Sequence, residues 1–417
     1  MDEAQRKRHR ETAKIIFVNR FFFPDHSATS QLLSDLAFYL SDSNKNATVV
    51  TSRQIYDEPD ARLAATETNR GVTVIRVWTT RFGRQRLIGR AIDYLSFYVS
   101  ATWRLAVIAR AGDVIVAKTD PPLISVPTAA VAWARGARLV NWLQDLFPEV
   151  ASALDVKGMG TLAPVMAALR TWSLRRAAMN VVLGDYMAAR VRALGIDDDK
   201  VAVIHNWADG RAIQPPAAIT SPLRDEWGLT GRFVVGYSGN MGRAHEFETL
   251  LAIAERFRNE PGMCFLFIGG GALRPWIEAE AARRRLPNVL FKPYLPREAL
   301  GQSLTVPDVH VVSLLPSLEG LIVPSKIYGI LAAGRPVLFI GDKDGEVARL
   351  ITAAGCGESI APGAADDGVT YVRDLARNRA RLQKESVSAR RAFDQRYDMP
   401  LALGAWEELL HATGRRP

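Results

Sequence analysis

The stretch 317–341, SLEGLIVPSKIYGILAAGRPVLFIG, leaves the backbone little choice. An apolar run over 309–315 reads as a buried strand and empties into a loop carrying Glu319 and Gly320. Pro324 fits the first position of a following helix, where its missing N–H costs nothing. Gly334 fits just past the helix end, and Pro336 prevents continuation. Residues 337–340 then resume as strand. This is a βαβ unit whose helix starts with the free N–H groups of Ser325 and Lys326 at the strand's carboxyl end, where open α/β sheets bind ligands and where an anion belongs. Lys326 in the first turn opposes the helix dipole, which a bound diphosphate would explain; the alternative is an ordinary solvated lysine.

Glu319-Gly320, then Pro324, then Ala332-Ala333-Gly334-Arg335-Pro336-Val337 resembles the donor-site signature of the family 4 glycosyltransferases. The resemblance implies the α/β GT-B fold, two Rossmann-like domains facing each other across a cleft, and retaining transfer of a sugar. It implies that Glu319 contacts the donor sugar, with Gly320, Leu321, Ser325 and Lys326 in the donor site. The family's second glutamate, which meets the nucleotide ribose, aligns with Gly329 and is lost here.

At 417 residues the chain exceeds one ordinary core. The expected division is a disordered basic N-terminus over 1–13, an acceptor-side domain over 14–213, a nucleotide-sugar domain over 214–396, and a terminal helix over 397–417. The resemblance implies that this helix packs back on the first domain. With 48% hydrophobic residues the chain is globular, and its net charge of +9 suits nucleic acid, an anionic membrane or phosphorylated substrates without selecting among them. The donor signature points to phosphorylated substrates, and no nucleic-acid partner is expected. Cys264 and Cys356 are isolated and give neither a disulfide framework nor metal-ligand spacing. Asp197-Asp198-Asp199 lies in a polar turn and reads as solvated. Neither metal nor cofactor is expected. The start, MDEAQRKRHRETAK, lacks a signal-peptide core, so a cytoplasmic location is expected.

No segment offers the ~18–20 uninterrupted apolar residues of a membrane span. The nearest, 91–109, contains Asp93 and Arg104 and sets Ile92, Leu95, Val99 and Ala106 on one helical stripe. Arg81, Arg84, Arg86 and Arg90 lie just upstream, among Phe82, Leu87 and Ile88. Such a mixture either docks peripherally on anionic lipid, here the inner face of the plasma membrane, or forms a solvated loop before a core helix.

Residues 14–19 read as a first strand, and the loop FFFPDHSATS leads to a helix over 31–40 that Ser27, Thr29 or Ser30 can cap. His26 and Ser27 are acceptor-side candidates; simple exposure is the alternative for the histidine. Strand-like runs at 48–51, 72–77, 114–117, 138–142, 180–183 and 201–204, mostly separated by helical patterns, imply a parallel sheet covered on both faces. Residues 144–149, QDLFPE, resemble a segment of bacterial family 4 enzymes that build surface polysaccharide. Asp145 there could meet the sugar or the acceptor hydroxyl, or cap a helix. Residues 205–209 resemble the family's domain junction, and 214–218 form a plausible stiff linker.

In the second domain, 233–237 reads as a strand emptying into a turn with Gly239 and Gly242, followed by a helix around 247–257. The family places an arginine and a lysine on the donor diphosphate here. They align with Asn240 and His245, so Arg243 and Lys326 are the candidates to supply positive charge. The strand 263–268 ends in three glycines including Gly270, and the strand 289–292 precedes Tyr294-Leu295, where the resemblance implies that the nucleobase is seated. Residues 374–393 read as charged and helical, and 401–411 as a second helical stretch.

The combined expectation is a retaining transferase with Glu319 and Asp145 at the reacting centre. It would move a sugar from a nucleotide-sugar donor to a lipid-linked or other saccharide acceptor in polysaccharide assembly, through diphosphate stabilisation and alignment in a closed cleft. Its rivals are a nucleotide-sugar epimerase on the same fold and a catalytically silent GT-B protein that only binds a partner or membrane.

Overall fold

A computed structural model describes residues 13–56, 58, 61–83, 87–156, 160–215 and 222–415. The basic N-terminus up to residue 12, Arg84, Arg86 and the 216–218 part of the linker lie outside the described residues. The chain forms two compact units, Met1–His205 with Leu403–Pro417, and Asn206–Ala402. The division falls ahead of residue 214 because 206–213 is tied to the second unit. Gly210 N–H donates to the Asp398 carboxylate at 3.1 Å, and the Arg390 guanidinium donates to the Ile213 carbonyl at 2.9 Å.

In the first unit the strands are β1 (Ile15–Val18), β2 (Ala47–Ser52), β3 (Thr66–Asn69), β4 (Val72–Val77), β5 (Val114–Lys118), β6 (Arg138–Trp142), β7 (Met179–Val182) and β8 (Val201–Val203). They form one sheet in the order β3-β4-β2-β1-β5-β6-β7-β8, parallel except for the β3–β4 pair. The polar β3, TETN, has no apolar face to announce it. Helices α1 (Ala28–Asp42), α2 (Leu87–Ile108), α3 (Ser125–Arg135), α4 (Ala163–Arg176) and α5 (Asp185–Ala193) make the crossovers. The path runs outward through β1, β2 and β4, then returns through α2 to β5 and on to β8. Right-handed crossovers therefore put α1 on one face and α2, α3, α4 and α5 on the other.

The stripe read on α2 points away from the core except at half-buried Ala106. Ile92, Leu95 and Val99 are exposed, whereas Phe97, Ala101 and Leu105 are buried. Asp93 decides the rotation: its buried carboxylate accepts bonds from the Thr80 hydroxyl at 2.7 Å, Phe82 N–H at 3.0 Å and Gly83 N–H at 3.1 Å. Turning Ile92 inward would strip a buried charge of its donors.

The second unit is an all-parallel sheet in the order β11-β10-β9-β12-β13-β14. Its strands are β9 (Phe233–Ser238), β10 (Met263–Ile268), β11 (Val289–Lys292), β12 (Val309–Ser313), β13 (Val337–Ile340) and β14 (Gly357–Ile360). Its main helices are α6 (Glu248–Arg256), α7 (Arg274–Arg283), α8 (Lys326–Ala332), α9 (Glu346–Ala354), α10 (Ala365–Arg377) and α11 (Arg379–Arg396), and the final helix of the chain is α12 (Met399–Arg415). The helical stretch read over 374–393 is broken at Asn378, whose side chain leaves the path of α10 and caps α11 by accepting from Arg381 N–H at 3.0 Å. In β9, Gly236 pairs with His310 of β12, and a Cβ at Gly236 would lie 2.1 Å from the Pro307 ring.

The later turns of α12 complete the first unit. Trp406 packs on Trp142 of β6 with ring centroids 4.6 Å apart, and both are fully buried. The Tyr39 hydroxyl of α1 donates to Glu407 at 3.1 Å. Trp406→Ala is expected to lower unfolding free energy by about 3–5 kcal/mol, the usual cost of truncating a buried aromatic. Urea denaturation of the first unit checks this, and a loss below about 1 kcal/mol would mean that α12 is not an integral part of that core.

Candidate functional site

The carboxyl ends of β9 and β10 finish in glycine turns that interlock. Gly239 N–H donates to Ile268 O at 2.9 Å and Met241 N–H to Gly270 O at 2.7 Å. Gly239, Gly269 and Gly271 have φ of +121°, +127° and +135°. A Cβ at Gly269 would lie 2.3 Å from the Gly239 carbonyl, and one at Gly271 would lie 2.4 Å from the Asn240 side chain. Only glycine permits this approach, and it leaves a surface of bare backbone. The half-exposed Tyr294 ring lies over it, 3.3 Å from where a Gly270 Cβ would stand. Arg274 holds the turn from below, donating to the Gly269 carbonyl and to Lys292 O at 3.2 Å. Sequence reasoning missed Arg274, because a lone arginine after a glycine turn carries no pattern.

Lys326 points into this cluster. Its ammonium donates to the Tyr237 hydroxyl and sits 3.7 Å from the Tyr237 ring centroid. That hydroxyl in turn donates to Asn240 O at 2.9 Å, and a Cβ at Gly239 would lie 3.8 Å from Lys326 Nζ. Part of the lysine chain reaches solvent, yet desolvation of the ammonium pushes its pKa well below the usual lysine range. The ammonium is thus engaged with Tyr237 and not free in solvent. The helix starts two residues later than Pro324 would place it. Ile327 N–H bonds to Pro324 O at 3.2 Å and Tyr328 N–H to Ser325 O at 3.3 Å, so the entry is a tight i→i−3 turn, with Ser325 exposed.

His245 lies beside the same group, its ring centroid 6.0 Å from that of Tyr237. Burial, and then the Lys326 charge, push its pKa down to about 3 against the bond from Nδ1 to the Ser313 carbonyl at 2.5 Å. Aligned with a family cation, His245 is nonetheless neutral at physiological pH. Arg243 is exposed on the turn.

Glu319 sits one strand further along, above β12 and β13. It is buried, and its carboxylate accepts the Glu346 N–H at the start of α9 at 2.9 Å. Burial raises its pKa, and Asp342 and Glu346 add to the rise. Gly320 follows with φ +72°, the Leu321 side chain is buried in the core, and Leu295 is half-buried. At Gly329 the space is taken by neighbouring side chains. A Cβ would lie 3.1 Å from Leu304 Cδ1 and 3.9 Å from Ile213 Cδ1, so a glutamate there would meet hydrocarbon.

The remaining predicted residues belong to the first unit. Asp145 follows β6, and burial, then the neighbouring Asp120, push its carboxyl up to about 7 against a hydrogen bond from Thr119. The helix-cap alternative does not hold, because the short helix there begins at Glu149 with Pro148 in the cap position. Ser27 occupies the cap position of α1, but its hydroxyl donates to Asp25 instead of capping. His26 is exposed, and its carbonyl accepts from the Gln31 amide at 2.7 Å. Asp197–Asp199 forms a surface turn in which Lys200 pairs with Asp197 at 3.2 Å and Arg192 with Asp198 at 2.5 Å. Lys118 went unnoticed in the sequence. It ends β5 fully buried, its ammonium 3.5 Å from the Trp142 ring centroid, and burial lowers its pKa well below the usual range.

Thus the structure gathers Tyr237, Gly239, Asn240, His245, Gly270, Tyr294 and Lys326, sets Glu319 on the adjacent loop, and keeps Asp145, His26 and Ser27 in the other unit. The first group can hold an anion against the Lys326 side chain, beside a glycine turn that no side chain of its own covers. Two parallel α/β units of this order constitute the GT-B fold. The chain superposes on sucrose-phosphate synthase from Thermosynechococcus elongatus with a TM-score of 0.77 over 96% of this chain and 98% of that one, at 16% identity. It matches Anabaena HepE, solved in complex with UDP-glucose, with a TM-score of 0.71 over 96% and 99%, also at 16% identity. Residues 32–207 match the glycosyl transferase 4-like domain. The probable glycosyltransferase WbjE of Pseudomonas aeruginosa is 28% identical over 68% of this chain and 70% of its own length. The putative colanic acid biosynthesis glycosyl transferase WcaI of Escherichia coli is 28% identical over 63% and 65%. Residues 32–207 thus carry a GT4-type glycosyl transferase domain, and the chain is similar to the glycosyltransferases WbjE and WcaI.

His310, fully buried, and half-buried His245 give an acid limit to the stability of the second unit. His310, bonded through Nε2 to Leu304 O at 2.9 Å, is pushed down to about 4 by burial, and His245 to about 3. Both pKa values are depressed from about 6.5, so the unfolded chain binds more protons between pH 6.5 and 4. Stability is therefore full above pH 6.5 and falls as the pH drops. Denaturant midpoints measured from pH 7.5 to 4.5 are expected to show this slope, and His310→Gln should reduce it; an unchanged slope would exclude His310 as a source.

Proposed function

We propose that this chain is a retaining glycosyltransferase that moves a sugar from a nucleotide-sugar donor to the hydroxyl of a lipid-linked saccharide in polysaccharide biosynthesis. The observation that carries the reading is Lys326, a cation held desolvated against Tyr237 beside the glycine turn. A leaving nucleoside diphosphate develops charge, and a preoriented cation with backbone N–H groups stabilises it without reorganisation. With His245 neutral, Lys326 takes the charge role in the cluster, assisted by Arg243 from the turn. Tyr294 and Leu295 border the base, and Glu319, fixed by the start of α9, orients the donor sugar with Gly320 and the backbone of Leu321 and Ser325. The UDP-glucose complex of HepE supports a nucleotide-sugar donor, and the name of WcaI supports a polysaccharide product. On the first unit, Asp145 serves the acceptor, its near-neutral pKa suiting proton transfer from a hydroxyl, while His26 and Ser27 contact the saccharide.

Lys326→Ala is expected to weaken UDP binding by about 10- to 100-fold, the loss of one charge-assisted contact, and uridine binding by no more than about twofold. Calorimetric titration with both ligands checks this; equal weakening would remove the diphosphate from this site. Incubation with a nucleotide-sugar panel and a lipid-linked acceptor should yield a glycoside with retained anomeric configuration. An epimerised donor, or no product with any donor, would sink the reading. With its carboxyl near 7, Asp145 becomes ionised as pH rises, so kcat/KM should climb through neutrality, and Asp145→Asn should abolish that limb of the profile.

A further inference from the structure

The outward layer of the first unit carries an apolar surface that nothing in that unit covers. On α2, Ile88, Ile92, Leu95, Val99, Trp103 and Val107 recur at helical spacing with exposures between 40% and 77%. α3 packs against both α2 and α4. It adds Trp133 at 75% exposure, and α4 adds Val165, Leu169 and Trp172, all exposed. Monomeric proteins rarely leave contiguous apolar faces of this extent in water.

Charge on this layer has one sign. The three helices carry exposed Arg135, Arg175 and Arg176 and half-buried Arg90 and Arg104, while Arg170 is buried and paired with Glu149. Their one carboxylate, Asp93, is 1% exposed and turned inward. Ahead of α2 the surface continues into a cavity of about 410 Å³ lined by Arg53, Trp78, Arg81 and Phe82, the two aromatic residues each 64% exposed. Among the described residues no helix is long and apolar enough to cross a membrane. A helix with an apolar face and cationic flanks lies in the plane of the lipid interface, where tryptophan is favoured.

We propose that the α2–α3–α4 layer docks on the surface of an anionic bilayer. Trp103 and Trp133 sit at headgroup depth, the exposed Arg135, Arg175 and Arg176 face lipid phosphates, and the Arg53–Arg81 cavity receives a phosphate at the edge of the contact. A second copy of the chain is the poorer occupant, because a two-fold self-contact would press this arginine-rich surface against itself. The proposal deepens the lipid-linked acceptor reading and rests on it for its purpose, though not for its geometry.

The test uses the full chain and vesicles of phosphatidylglycerol with phosphatidylethanolamine, against vesicles of phosphatidylcholine alone. The protein is expected to float with the anionic vesicles, and binding should fall at least about tenfold in Leu95→Ser/Val99→Ser/Trp103→Ser and in Arg135→Glu/Arg175→Glu. UDP affinity and the far-ultraviolet circular dichroism should stay unchanged in both variants, since all five residues are exposed on the first unit. Absence of flotation, or equal flotation of the apolar variant, overturns the proposal. So does a wild-type dimer that the apolar variant turns into a monomer without vesicle binding. Flotation without any glycoside product would leave the docking face standing and sink the transferase reading; product formation without flotation would do the reverse.

Discussion

Parallel strand pairing governs nearly everything else in this molecule. Neighbours that run the same way cannot be joined by a hairpin, so each pair in the second unit requires a crossover over the sheet. The crossovers bury both faces and deliver the loops that follow the strands to one edge. That is why residues as distant in sequence as Tyr237 and Lys326 meet, while the opposite edge carries only connections. In the first unit the same rule puts α2, α3 and α4 in a single layer, which must shield the sheet inside and meet the surroundings outside.

The electrostatics around Lys326 follow from desolvation more than from charge pairing. Lys326 has an aromatic hydroxyl as its neighbour, His245 is held neutral, and the Glu319 carboxylate is engaged with a backbone amide. Each group is less well solvated than it would be in water, so a ligand of the right charge gains from contact with it. Placing Lys326 between the Tyr237 ring and the Gly239 turn sets that preference before any ligand arrives.

Much of this could be read from the chain alone, for identifiable reasons. Apolar runs such as 263–268 and 337–340 proved to be strands with the same bounds, because a strand buried on both faces must be apolar throughout. The polar strands β3 and β14 escaped notice, since an edge position lifts that demand. The face of α2 was legible as a stripe but not in its direction. Two apolar faces competed, and the donors around Asp93, supplied by residues 80–83, settled the choice. Lys326 stood out through its place in the motif, yet its partner Tyr237 lies 89 positions away and shares no pattern with it. The neutrality of His245 was hidden for the same reason, because it depends on what surrounds the ring.

The contact between Gly236 and Pro307 joins two strands through an absent side chain. The proline ring fills the volume that any other residue would need in the middle of β9, a few residues before the turn that carries Gly239. Evolutionary drift at one position is therefore chained to the other: a larger residue at 236 becomes tolerable only after 307 has shrunk. Neither residue offers a polar atom to a ligand, yet together they limit the paths by which this half of the fold can diverge.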